Sequence, residues 1–158
     1  MKMNKLHFVT PVAVIRRDDG RILILKRRQG ESVYPGHYTF PGGKVEGNET
    51  IMQALKREVA EECGLNILPG AILIKDKAIL RPDGQTSKAL SFLCSVESSD
   101  SIKLNREDFS EYMWANLDEL RKVQHVGIEA EFQQAERLYK SGIDVKKFVI
   151  DTDQVELT

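Results

Sequence analysis

The sequence predicts an α/β fold in which a sheet is covered by helices. Arg21 to Lys26 (RILILK) is a continuous apolar run, the pattern of a strand buried on both faces. Residues 50–63 have helical periodicity with a start signal and a stop signal. Residues 127–141 have helical spacing again, and the other apolar runs are strand-like. The 158 residues suggest one domain over 1–158. Such a chain buries roughly two-thirds of its unfolded surface, so its core needs neither disulfides nor a structural metal.

Phe8 to Ile15 (FVTPVAVI) reads as a strand, with Pro11 marking an end, an edge or a bulge. Asp19-Gly20 is a hairpin signal, and RILILK is the return strand. Arg27 to Tyr38 is polar, contains Gly30, Pro35 and Gly36, and reads as a loop. Phe40-Pro41-Gly42-Gly43 follows, with paired glycines that allow close approach to a ligand. The helix starts near Thr50, whose spacing to Gln53 suits a capping box, although Asn48 is an alternative cap. It ends at Gly64. Ala71–Leu80 and Ala89–Val96 form a long hairpin around Arg81-Pro82-Asp83-Gly84. Residues 97–108 are expected to be exposed. Glu111–Ala115 is a short strand, residues 116–120 a helical turn, and Val145–Ile150 a last short strand.

A net charge of −1 argues against a nucleic-acid polymer or an anionic membrane as partner. Cys63 and Cys94 make no framework and no CxxC, so both are read as reduced, buried thiols of a cytoplasmic protein. The segment MKMNKLHFVTPV has no apolar leader region, and no window approaches a membrane span.

Gly43 to Leu65 concentrates acidic groups at a regular spacing. At about 100° per residue, Ile51, Met52, Leu55, Val59 and Cys63 form one apolar arc, and Glu58, Glu61 and Glu62 border it. The carboxylates repel one another at i,i+3 and i,i+4, and they crowd the helix end that disfavours anions. Arg57 offsets one charge through Glu61 and cannot neutralise three. A cation is therefore expected, and oxygen ligands alone favour Mg²⁺ or Mn²⁺ over zinc.

Gly43, five residues, Glu49, seven residues, Arg57-Glu58-Val59, one residue, Glu61-Glu62, one residue and Gly64-Leu65 resembles the complete signature of the Nudix hydrolase family. Nine specified positions over 23 residues match without departure. The resemblance implies a Nudix-type α/β/α sandwich with a mixed β-sheet, and hydrolysis of a pyrophosphate bond in a nucleoside diphosphate linked to another moiety. A nucleoside triphosphate and an ADP-ribose-like nucleotide sugar are both open as small-molecule substrate. It implies Mg²⁺ or Mn²⁺ held by Glu58 and Glu62, with Glu61 a ligand or the base, and the Gly43 carbonyl completing the set. Arg57 would pair with Glu49 and orient the cluster. Glu61 leads as general base, with Glu111, Glu107 and Asp108 as loop candidates. A non-catalytic nucleotide sensor or interaction module is the second class, set against by the intact carboxylates. Diphosphate isomerisation is a third.

Arg27, Arg28 and Lys44 flank the glycine loop as candidates for phosphate contact. Tyr34 and Tyr38 are candidates for stacking a base, whereas Phe40 is assigned to the core. Family substrate markers choose no substrate here: Pro82 belongs to a turn, and residues 80–85 contain no tyrosine. The chain is expected to be a monomer or a homodimer, with the Val145–Ile150 strand pairing with its own sheet or a neighbour's.

Overall fold

The computed structural model describes residues 6–158. The expectation about the chain's first five residues lies outside them. Strand β1 (His7–Ile15) runs parallel to β5 (Thr86–Val96), which pairs antiparallel with β4 (Ile67–Leu80), giving a mixed sheet in the order β1-β5-β4. A second, antiparallel sheet places β2 (Ile22–Arg27) between β3 (Tyr38–Thr39) and β6 (Phe109–Ala115). Helix α1 (Ile51–Cys63) covers one side. The short α2 (Leu117–Leu120) and α3 (Glu129–Lys140) cover the other.

Strand alternation decides which residue meets which helix layer. Ala13, Ile15, Leu23, Leu25, Phe92 and Cys94 pack with Leu55, Val59 and Cys63 of α1. Their neighbours Val14, Ile22, Ile24 and Leu93 point the other way, onto Leu120, Ile128, Phe132 and Ala135. Ile22 to Leu25 are all buried, as the RILILK run requires.

The Asp19-Gly20 turn forms, but β2 is not a long return strand along β1. After the Arg16–Ile22 bridge the chain leaves the first sheet and pairs with β6. Pro11 sits inside β1, on an edge of its sheet, with its backbone turned to the glycine loop and not to β5, so the missing N–H costs no ladder bond. That edge carries the glycine loop: Ala13 N–H donates to Pro41 O at 2.8 Å, Gly43 N–H to Pro11 O at 3.2 Å, and Val45 N–H to Val9 O at 2.9 Å. A Cβ on Gly42 would stand 2.5 Å from Pro11 O, so this approach requires glycine.

Two further expectations are corrected. The 97–108 segment is not wholly exposed. Ile102 and Leu104 pack on the core, and the Lys103 and Asn105 amides donate to Cys63 O and Glu62 O at 2.9 and 2.8 Å. Those carbonyls end α1 and have no partner within it. Val145–Ile150 is not a strand: Val145–Lys147 is a 3₁₀ turn, and only Val149 bridges to Gly70. Among the described residues, no helix is long and apolar enough to cross a membrane. Cys63 and Cys94 are free and buried, and burial pushes both thiols up to about 12.

Candidate active site

Helix α1 delivers the carboxylates. Thr50 accepts from the Gln53 amide at 3.1 Å while Gln53 Oε1 accepts from Thr50 N–H at 2.9 Å, a complete capping box. Gly64 closes the helix at φ +68°, donating to Ala60 O. Leu55, Val59 and Cys63 anchor its apolar face in the core. With both ends and one face fixed, the border residues have fixed directions.

Arg57 organises that border. Its Nε and Nη2 donate to the two oxygens of Glu49 at 2.7 and 2.9 Å, and its Nη1 to Glu58 Oε1 at 2.9 Å and Glu61 Oε2 at 3.3 Å. Nη2 also reaches Lys44 O at 3.1 Å, which ties the loop backbone to the helix. These hydrogen bonds hold the Glu49 carboxyl below its ordinary range and raise the guanidinium's own pKa.

Glu62 is 8% exposed, and its Oε1 accepts from Gly42 N–H at 2.9 Å. Burial pushes its carboxyl up to about 8, against the Gly42 bond and assisted by Glu58 and Asp108. Burial also raises Glu58, in opposition to Arg57. A Cβ on Gly43 would collide with the Glu58 carboxylate, so that carboxylate lies directly on the glycine loop.

Glu58, Glu61 and Glu62 open on one cavity of about 240 Å³, together with Gly42, Arg27, Glu31, Asn105 and Asp108. Five carboxylates face one arginine there, and every anionic donor is oxygen. Burial raises the Glu58 and Glu62 carboxyls, and the neighbouring carboxylates add to the shift. Among the described residues, no three His, Cys, Asp or Glu side chains close into a cage. Arg57 holds Glu58, and the Gly42 amide holds Glu62, on separate partners. The donor chemistry suits a hard divalent ion that keeps part of its water shell.

Arg27 belongs to this cavity and also lines a larger one of about 660 Å³. Its Nε donates to Val33 O at 2.8 Å, so the 28–37 loop is folded back over it. Tyr34, 54% exposed at φ +46°, lines the larger cavity. Phe40 is a core residue as expected, stacked on Phe132 at 5.9 Å, with one edge on that cavity.

Three expected site residues stand elsewhere. Lys44 lines neither cavity; its ammonium lies 3.8 Å from the centre of the Phe8 ring, which strand β1 holds beside the loop. Tyr38 is buried between β2 and the 124–126 segment, with its hydroxyl donating to Glu111 at 3.3 Å, so it offers no stacking face to either cavity. Glu111 is 60% exposed beside Lys26 and does not reach the carboxylate cavity. Its side chain follows the alternation of β6, whereas Asp108 lies before the strand on a turn that faces α1. Asn105, Glu31, Lys77 and Glu131 were not anticipated. The last two are a lysine in a strand and a glutamate in a helix's first turn, positions that ordinarily hold solvated charges.

A family model of the NUDIX domain matches residues 6–135. The nucleoside triphosphatase NudI of Escherichia coli O17:K52:H18 is 31% identical over 120 residues, covering 70% of this chain and 84% of that protein. The NUDIX hydrolase from Nitrosomonas europaea superposes with a TM-score of 0.69 at 28% identity, over 96% of this chain and 98% of that one. The MutT NUDIX hydrolase from Burkholderia pseudomallei gives a TM-score of 0.68 at 28% identity, over 80% and 98%. With Glu58, Glu61 and Glu62 of its signature gathered at one cavity, the chain belongs to the NUDIX family and is a Nudix pyrophosphohydrolase, acting on phosphorus anhydrides.

Proposed function

We propose that this chain hydrolyses a nucleoside triphosphate to the monophosphate and pyrophosphate, with Mg²⁺ or Mn²⁺ held by Glu58 and Glu62. The observation that carries the reading is the meeting of the two cavities at Arg27: one is lined by carboxylates, the other is roomy and largely apolar. A triphosphate spans such a pair, with phosphates over the acidic border and base in the larger cavity. The similarity to a protein called nucleoside triphosphatase NudI supports this substrate class over a nucleotide sugar.

The divalent ion supplies charge neutralisation at the phosphate oxygens and acidifies a water. Glu58 and Glu62 are its carboxylate ligands in this reading, with Glu61 and the Gly43 carbonyl beside them. Arg57 keeps Glu58 oriented and itself stays on Glu49, so it is a positioning residue. Arg27 faces both cavities and binds phosphate where they meet. Glu61 is the least buried of the three helix carboxylates, 58% exposed, and its bond to Arg57 is longer than that of Glu58, at 3.3 Å. It is therefore free to take the proton of the attacking water. Asp108 sits across the same cavity and helps to hold that water. The two unpaired, buried thiols fit a reducing compartment, supporting a cytoplasmic place of action.

A panel of the common ribo- and deoxynucleoside triphosphates with ADP-ribose, run with Mg²⁺ and with products identified, tests the reading. The expected result is release of pyrophosphate from at least one triphosphate, abolished by excess EDTA. Full turnover in EDTA, or release of products from ADP-ribose alone, would overturn it.

A further inference from the structure

The larger cavity contains a charged pair that hydrolysis does not use. Glu131, in the first turn of α3, is 1% exposed, and Lys77 of β4 places Nζ 2.9 Å from its Oε2. The other oxygen, Oε1, is sealed from solvent and has no hydrogen-bond partner among the described residues. Buried carboxylate oxygens without a donor are costly and uncommon. Lys77 also donates to Gly127 O at 3.4 Å, which leaves one of its three ammonium hydrogens uncommitted. Both residues line the cavity of about 660 Å³. Around them are the apolar groups of Val12, Phe40, Ala89, Val126 and Ile128.

We propose that Lys77 and Glu131 read the hydrogen-bonding edge of the nucleobase, Glu131 accepting from an N–H of the base and Lys77 donating to the acceptor beside it. This rests on the triphosphate reading above and adds to it the group that recognises the base. One free acceptor next to one free donor complements an N–H beside a carbonyl or ring nitrogen, the pattern every base carries on its pairing edge. Apolar walls on either side suit a flat ring. The last torsion of a glutamate is broad and two-fold, so the carboxylate turns to share one oxygen with Lys77 and present the other to a ligand. Position fits as well, since Arg27 joins this cavity to the carboxylates and places a base here when the phosphates lie there.

The test uses hydrolysis-resistant α,β-imido triphosphates of uridine, guanosine and adenosine, titrated in Mg²⁺ by calorimetry. Each is paired with the counterpart whose base has lost its pairing-edge N–H groups: 3-methyluridine, N1,N2,N2-trimethylguanosine and N6,N6-dimethyladenosine. For the tightest binder, methylation is expected to raise Kd about tenfold or more, the value of a hydrogen bond to a charged group. In the double variant Lys77→Met, Glu131→Met the penalty should fall below about twofold. Removing both charges together leaves no lone buried charge, so the variant keeps the fold. The unaltered chain carries half of the test without any substitution. Indifference to methylation in all three pairs overturns the proposal, as does a penalty that survives the double variant or ribose 5-triphosphate binding as tightly as the parent. Analogue binding with no turnover of any parent triphosphate overturns the hydrolytic reading alone. Turnover that ignores both base methylation and the double variant overturns this one alone.

Discussion

Arg57 grips Glu49 with two parallel hydrogen bonds, Nε to Oε2 at 2.7 Å and Nη2 to Oε1 at 2.9 Å, across the turn that begins α1. Only the planar guanidinium makes such a fork and still has Nη1 for Glu58. Arg57→Lys should therefore lower activity although the charge is kept. Loss of an orienting partner costs about 10–100-fold in metal affinity or turnover. Mg²⁺ titrations of kcat read the effect, and Glu49→Gln should produce a similar shift. Unaltered Mg²⁺ dependence in both variants would show that the fork does not orient Glu58.

Glu58→Gln and Glu62→Gln keep side-chain volume and remove a charged ligand each. Turnover should fall by about two or more orders of magnitude, while circular dichroism and thermal melting remain those of a folded chain. Normal rates in both would remove them from the metal site. A single impaired variant would assign the metal to that residue alone.

Glu62 makes the metal-free protein sensitive to pH. Its folded carboxyl sits at about 8, above the ordinary value near 4.3 of an unfolded glutamate. The folded state therefore holds the proton more tightly between those values, and stability declines as pH rises from about 5 to 8. In EDTA, Tm should be higher at pH 5 than at pH 8 by more in the parent chain than in Glu62→Gln. Saturating Mg²⁺ should reduce that difference, because a bound cation favours the ionised form. Identical pH slopes for parent and variant would show that Glu62 is not desolvated.

Asp108 and Glu111 are three residues apart and separate cleanly by experiment. Asp108 lines the carboxylate cavity and Glu111 does not. Asp108→Asn should lower kcat/KM about tenfold, less than the roughly hundredfold or more lost with a group that itself transfers the proton. Glu111→Gln should stay within about twofold, the scale of a surface substitution. The opposite ranking would return the loop carboxylate role to β6.

Much of the candidate site was legible because it is local. A capping box, an apolar arc, three glutamates on its border and a glycine stop all lie within one helix and its flanks, where spacing alone fixes direction. The two-sided burial of Ile22–Leu25 was legible for the same reason. Three placements failed where long-range pairing decides. The register of β6 against β2 turned Glu111 toward Lys26. The pairing of Tyr38 with β2 and the 124–126 segment buried that ring. Phe8 of β1 holds the Lys44 ammonium over its ring, outside both cavities.

The amino-acid sequence by itself determined the family, the helix that carries the carboxylates, and the all-oxygen character of its acidic border. Tertiary structure alone decided that Asn105 and Asp108 line the acidic cavity and that Arg27 lines both it and a second one. It also brought Lys77 and Glu131, 54 residues apart, to one ion pair. The physical reason is periodicity. Within a helix a fixed rotation per residue makes spacing into geometry, whereas partners from different elements meet only through sheet order and register, which no short stretch of residues encodes.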